Sequence, residues 1–250
     1  MKISEQELKI FSRHLILKEF NEKFFNKLQK QSVTIVGLGG VGCCIAQYLV
    51  ATGIKKLKLI DGDKIDKTNL NRQILYSIQD IGKLKTEISK KKLLGINPEC
   101  KITTINKFLN SKNLDNYLNK SSIIIDATDN WKSMLLTNKY CVKKSKPLIS
   151  CSVLGFDGQV IMFKNRLKKH LCLQCIFPNK NEPDLARCET VGILGTAAGM
   201  TALIATQKLI NFFLPKKNNK DYITMINLKT LLIDHILIKK NISCQYLKKH

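Results

Sequence analysis

The chain has 250 residues, enough for one substantial core, and its apolar and charged fractions are those of a soluble globular protein. The formal net charge is +23, yet all but four of the 42 basic residues are lysine. With no interleaved aromatics, that composition argues for a solvated lysine surface and against a base-stacking nucleic-acid face. The nine cysteines are odd in number, and residues 1–10 carry no apolar signal segment behind a basic start. A secreted disulfide framework is therefore disfavoured. Thiols, metal ligands or a nucleophile in a reducing, cytoplasmic compartment are expected instead.

Ser4 and Glu7 have the spacing of a capping box, opening an amphipathic helix expected to run to Phe20 with Arg13 inside it. A second short helix is expected over 21–29. The β-branched run 33–36 reads as a buried strand. It leads into Gly37-Leu38-Gly39-Gly40-Val41-Gly42, a helical pattern over 43–52, and a second strand over 56–60 that ends on Asp61. Strand, glycine turn, helix, strand and terminal acid make a nucleotide-binding βαβ unit. Gly37 allows the tight turn, Gly39 lets the backbone approach a phosphate, and Gly42 lets the helix pack close to the sheet. The phosphate would sit on the amides of the helix N-terminus. Asp61 lies 19 residues past Gly42, where a carboxylate can accept hydrogen bonds from a ribose. The turn alone does not distinguish NAD from other nucleotides.

Beyond Asp61, a helix is expected from 81 to about 96, ended by Asn97-Pro98. Strands over 101–105, 122–126 and 147–151 alternate with helices over 111–118 and 132–144. Alternation argues for a parallel sheet with right-handed crossovers and a ligand at the carboxyl ends of its strands, where Gly42, Asp61 and Asp129 fall. After Cys151 the character changes. A strand over 158–163 precedes a polar stretch, 172–190, that reads as a long exposed loop with three cysteines. An apolar helix over 191–214 and an antiparallel pair over 222–227 and 231–238 complete the chain. The apolar helix carries Gly195 and Gly199 at membrane-dimer spacing, but Gln207 and Lys208 interrupt it. A soluble helix packed close to its neighbours is expected rather than a membrane span. The fold class is α/β: a Rossmann-like, doubly wound, mainly parallel sheet continued by antiparallel strands, with an N-terminal helical segment. One domain is expected over 1–250, divided into N-terminal helices (1–30), a nucleotide-binding half (31–151) and a second half (152–250).

Residues outside the glycine turn bear on the nucleotide. Asn69, Arg72 and Lys85 follow the second strand, and a cationic pair there suits a triphosphate. Asp129 at a strand end can hold Mg²⁺ together with phosphate oxygens, or can cap the helix that follows. Arg72 stands out in a chain that draws its charge from lysine, because Arg supplies planar bidentate geometry. This set fits ATP chemistry better than hydride transfer.

Several motifs then occur in one order: the Arg13 segment, Gly37 to Gly42, Asp61-Gly-Asp63, Asn69-Leu-Asn-Arg72-Gln73, Ile81 to Lys85, Asp126-Ala-Thr-Asp129-Asn130, Gly158-Gln159 and Cys172-Leu-Gln-Cys175. Together, over about residues 8–246, they resemble the ThiF/MoeB/HesA family, bacterial relatives of the ubiquitin-activating enzymes. The resemblance implies an adenylyltransferase that uses ATP and Mg²⁺ to activate the C-terminal Gly-Gly of a ubiquitin-like sulfur carrier (ThiS- or MoaD-like), for thiamine or molybdopterin biosynthesis. It implies that Gly39 and Gly40 approach the nucleotide, that Asp61 binds the ribose, and that Asn69, Arg72 and Lys85 hold phosphates. Asp63, Gln73 and Asn130 would line the same site, and Asp129 would serve Mg²⁺. Arg13 would reach the phosphates of a neighbouring subunit, which implies a homodimer. Residues 152–250 become a carrier-binding half, crossed by the Cys-rich loop. Cys188 matches the position of a thiol that attacks the activated carbonyl or carries sulfur; Arg187 beside it favours the thiolate and Glu189 opposes it.

Relatives hold zinc with two C-x-x-C pairs. Cys172 and Cys175 supply the first, but the second is Cys244-Gln-Tyr-Leu247, and Leu cannot coordinate. Either three cysteines bind with another group such as His250, or the site is lost. The stretch from Cys175 to Cys188 resembles the thiazole-pathway branch more than the molybdopterin branch. No rhodanese-like stretch follows, so a separate sulfur donor such as a cysteine desulfurase is expected. Two other readings are a tRNA threonylcarbamoyladenosine dehydratase-type enzyme, which the C-x-x-C and the Arg13 segment oppose, and a non-catalytic scaffold for a ubiquitin-like protein.

Overall fold

A computed structural model describes residues 3–165, 171–178, 192–215, 222–239 and 244. Helices α1 (Glu5–Leu15) and α2 (Glu22–Gln29) precede strand β1 (Ser32–Val36). There follow α3 (Gly40–Ala51), β2 (Lys56–Ile60), α4 (Lys85–Ile96), β3 (Lys101–Ile105), α5 (Leu114–Leu118), β4 (Ile123–Asp126) and α6 (Trp131–Lys143). The second half contains β5 (Leu148–Leu154), β6 (Asp157–Phe163), α7 (Leu173–Ile176), α8 (Gly195–Phe213), β7 (Tyr222–Asn227) and β8 (Leu232–Leu237). One eight-stranded sheet runs β3-β2-β1-β4-β5-β6-β7-β8. Pairing is parallel from β3 to β5 and antiparallel from β5 to β8, as the sequence predicts.

Both faces of the central strands β1 and β4 are covered, so apart from Ser32, Thr34 and the terminal Asp126 their residues are apolar. Val33, Ile35, Leu57, Leu59, Ile123 and Ile125 pack in one cluster with residues of α3, α8 and the N-terminal helices. Val36, Ile60 and Ile124 belong to the opposite cluster, with Leu118 of α5 and Tyr140 and Cys141 of α6. Consecutive strands turn opposite ways from β1, β2 to its left and β4 to its right. This reversal opens a crevice at the carboxyl edge, the ordinary ligand position of such a sheet.

Several boundaries move for physical reasons. Helix α1 keeps its capping box, with Ser4 Oγ accepting from the Glu7 N–H, but it stops at Leu15 rather than Phe20. Residues Lys18–Phe20 form a 3₁₀ turn that folds the Phe20 ring onto Phe24 and Phe25. Buried Glu7 then anchors the segment, its carboxylate 2.7 Å from Lys55 Nζ. Helix α4 begins at Lys85 rather than 81, because Gly82 takes the left-handed conformation (φ +83°). Its N–H donates to the Ile65 carbonyl, and the Lys85 N–H donates to that of Asp63. The stretch expected as an exposed loop from 172 is not one at its start: α7 is a helical turn whose Cys172, Leu173 and Cys175 are buried. An apolar cluster with Val142 draws it inward, and the Leu173 N–H donates to Asn138 Oδ1. Helix α8 starts at Gly195, four residues later than the apolar run. Among the described residues no helix is long and apolar enough to cross a membrane.

Candidate nucleotide site

The glycine turn is built by close contacts. Gly37 has φ +87°, a region that disfavours side chains, and a Cβ there would lie 2.8 Å from the Ala127 carbonyl oxygen. A Cβ on Gly42 would fall on the carbonyl oxygen of Gly37. Gly42 thus closes the turn on itself, rather than only easing helix against sheet. Helix α3 begins at Gly40 with Gly39 as its N-cap, so the last glycines form its first turn. A Cβ on Gly40 would meet Ala198 of α8 and the Arg72 carbonyl at 3.1 Å, whereas one on Gly39 would meet nothing nearer than the Gln73 amide at 3.9 Å. Space for a ligand therefore lies at Gly39.

Asp61 fastens this turn. Its Oδ2 accepts from the Leu38 N–H at 2.6 Å and its Oδ1 from the Asp63 N–H at 2.7 Å. Burial raises its pKa, opposed by the charge of Lys85 and by the two amides. A ribose would have to use the remaining lone pairs, since each carboxylate oxygen can accept more than one bond. Lys85 is buried, and its Nζ lies 3.0 Å from Oδ2 of exposed Asp63. An ion pair with an exposed carboxylate is weak, so an incoming polyanion can replace Asp63 at little cost.

Asn69, Arg72 and Gln73 share one turn, in which the Asn69 carbonyl accepts from the Arg72 and Gln73 N–H groups. Arg72 Nη1 donates to the Thr68 carbonyl at 2.9 Å and to Asn71 Oδ1 at 3.1 Å. Gln73 is buried against the glycine turn, and its Oε1 has no hydrogen-bond partner among the described residues.

Across the crevice, β4 ends on Asp126, only 1% exposed. Its Oδ1 accepts from the Thr128 N–H at 3.1 Å and the Thr128 hydroxyl at 2.7 Å, while Oδ2 lacks a partner among the described residues. Burial pushes its pKa up to about 6, against the pull of the Thr128 bonds. The following helix is capped by Asn130, whose Oδ1 accepts from the Ser133 N–H at 2.9 Å, leaving Asp129 exposed and outside the cap. Asn130 therefore has a structural task that the sequence reading assigned as an option to Asp129.

Arg13 is exposed in the last turn of α1, and among the described residues no hydrogen bond or ion pair ties it to the glycine turn. Cys188, Leu247 and His250 lie outside the described residues. Cys172, Cys175 and Cys244 do come together: Cys172 Sγ is 3.9 Å from Cys175 Sγ and 3.5 Å from Cys244 Sγ, and all three are buried. Thiolates around a tetrahedral zinc, at about 2.3 Å from it, stand at comparable separations. The neighbouring Cys175 thiol, then burial, raises the Cys172 pKa. The donor set fits a thiophilic metal, with three ligands among the described residues.

Sequence reasoning passed over two residues here. Asp126 was only the first letter of a motif; its place at the end of an apolar strand was the available signal. Tyr76 lies three residues past Gln73 in an apolar run, and nothing in the sequence distinguished its hydroxyl.

The chain has relatives across nearly its whole length. It is 33% identical over 245 residues to "Adenylyltransferase and sulfurtransferase MOCS3" of Drosophila virilis, covering 98% of this chain and 51% of that protein. It is 37% identical over 214 residues to the same-named protein of Drosophila persimilis, covering 84% of this chain and 47% of that one. The chain thus spans about half the length of the curated relatives it matches. Among solved structures it superposes on E. coli MccB with bound "MccA-N7isoASN" at a TM-score of 0.80 and 23% identity, covering 96% of this chain and 74% of MccB. On "E. coli MccB + ATP" the TM-score is 0.75 at 21% identity, with 98% and 82% covered. These likenesses place the fold, and the ThiF family model matches residues 11–246. By that match and by its glycine turn, strand order and crevice, the chain belongs to the ThiF family.

Proposed function

We propose that this protein adenylates the C-terminal Gly-Gly carboxylate of a ubiquitin-like sulfur carrier, ThiS- or MoaD-like, using ATP. The carboxylate attacks the α-phosphorus, the bond from that phosphorus to the α,β-bridging oxygen breaks, and acyl-adenylate and pyrophosphate form. The observation that carries the reading is the convergence at one carboxyl edge of an open glycine N-cap, a buried lysine on an exchangeable partner, and an exposed carboxylate across the crevice. Relatives named as adenylyltransferases and a like-folded protein solved with ATP support the choice of nucleotide.

In this reading the amides at Gly39 and Gly40 receive a phosphate, Asp61 holds the ribose, and Asn69, Arg72 and Lys85 hold the remaining phosphate oxygens. Gln73 supplies a polar wall. These cations lower the repulsion between two anions that must meet, and alignment of the tail on the α-phosphorus does much of the rest. Asp129 would hold Mg²⁺, which neutralises phosphate charge when bound. Zinc would be held by Cys172, Cys175 and Cys244 as a structural ion. Arg13 would act in a partner subunit's site, making the protein a homodimer. Cys188 would take the acyl group or sulfur in a later step, with sulfur from a separate donor, in the cytoplasm. ATP–pyrophosphate exchange tests the reading: exchange dependent on a carrier ending in Gly-Gly is expected, and its absence with every such carrier contradicts it. Replacing Cys188 with Ser should spare exchange and block sulfur transfer; an unchanged thiocarboxylate yield would remove Cys188 from the reaction.

A further inference from the structure

The phenol of Tyr76 is buried, with its oxygen 3.0 Å from the Leu38 carbonyl oxygen and 3.0 Å from Ser89 Oγ. A carbonyl has no proton to give, so the phenol donates to Leu38 and Ser89 donates to the phenol. Burial raises the Tyr76 pKa, which keeps the phenol a donor. The Leu38 carbonyl and the Gly39 N–H belong to one planar trans peptide, in which the two groups point opposite ways. Fixing the carbonyl toward Tyr76 aims that N–H away from it. The Gly39 N–H has no hydrogen-bond partner among the described residues and borders the open space of the turn. On the other side, the Leu38 N–H is held by Asp61 Oδ2 at 2.6 Å. Side chains therefore fix both peptides flanking Leu38. Ser89 stands one helical turn beyond Lys85 in α4, so the chain Ser89–Tyr76–Leu38 ties the lysine's helix to the glycine turn.

We propose that Tyr76 is a positioning residue for the anion site: its hydroxyl locks the Leu38–Gly39 peptide with the N–H presented to a phosphate, and Ser89 sets that turn against the helix of Lys85. The inference rests on the nucleotide reading above and deepens it, because it assigns a buried phenol to phosphate recognition rather than to ribose or base.

Replacing Tyr76 with Phe removes one oxygen and keeps the ring. The full chain, wild type and Tyr76→Phe, is titrated calorimetrically with Mg-ATP and with adenosine. The variant should bind ATP about fivefold more weakly, the weight of one neutral hydrogen bond of about 1 kcal/mol, and adenosine as wild type does. Ser89→Ala, which leaves the bond to Leu38, should give a smaller loss confined to ATP. Equal weakening toward both ligands, or unchanged ATP affinity in both variants, overturns the inference and leaves the nucleotide reading standing. A wild-type chain that ignores ATP overturns both.

Discussion

The two ends of the sheet are built to different ends. At β1, β2 and β4 the strands are closed on both faces, and their carboxyl ends carry polar groups whose orientation is fixed: Asp61 on two amides, Asp126 on Thr128, Asn130 on the α6 cap. At the far edge all six residues of β8 are exposed, four of them Leu or Ile, with Leu232 at 57% and Ile236 at 52%. In the proposed reading, one end is a preorganised cradle for a small anion. The other is an apolar strand in which only Asp234 is charged, the last of the sheet among the described residues. Side-chain hydrogen bonds fix the polar groups where, in the proposed reading, phosphate charge would have to be met by fixed dipoles.

The contrast can be broken at its chemical end first. Arg72→Ala and Asp129→Ala should each lower carrier-dependent pyrophosphate exchange by on the order of a hundredfold or more, the scale at which fixed transition-state charge contributes. Neither should shift Tm by more than a degree or two. Near-normal exchange in either would remove that residue from the site. The packing end comes next. Ile125 is fully buried, so Ile125→Ala should cost about 2–5 kcal/mol in denaturant unfolding, whereas Ile236→Ala on β8 should stay within about 0.5 kcal/mol. Equal costs at the two positions would erase the distinction.

A smaller effect concerns pH. Asp126 has its folded-state pKa raised from 3.8 to about 6, so the folded chain binds this proton more tightly than the unfolded chain. Its contribution favours the fold below about pH 4 and is lost as pH rises to about 6. Asp126→Asn should therefore gain stability relative to wild type between pH 4 and 7, and level off above that. A mutant-minus-wild-type Tm difference that stays flat over this range would show that burial does not set the pKa. Metal content sharpens the other half: purified protein should carry about one zinc per chain, lost in Cys172→Ser, and a zinc-free protein with unchanged Tm would leave the three thiols as simple core residues.

Much of this was legible in the chain. The succession of strands and helices along the chain and the change from parallel to antiparallel pairing follow from alternation and from the break after Cys151. The capping box at Ser4, strand β2 to Asp61 and strand β3 were readable because their signals are local. What escaped depended on packing partners that the local pattern does not identify. Phe20 leaves α1 to join an aromatic cluster, and Cys172 is pulled inward by Val142 and Cys244. Of the site, residue types and rough positions were readable, but their constraints were not: that Gly42 seals against Gly37, that both oxygens of Asp61 are engaged, and that Tyr76 holds the turn all arise from contacts 2 to 38 residues apart in sequence.

The account turns on whether this site joins AMP to a protein's terminal carboxylate. The direct measurement is the mass of a Gly-Gly-ended sulfur carrier after incubation with the protein, Mg-ATP and pyrophosphatase. The account predicts a carrier heavier by one adenylate on its last glycine, dependent on Arg72. An unmodified carrier, with the chain instead retaining NAD and ignoring ATP, would contradict it.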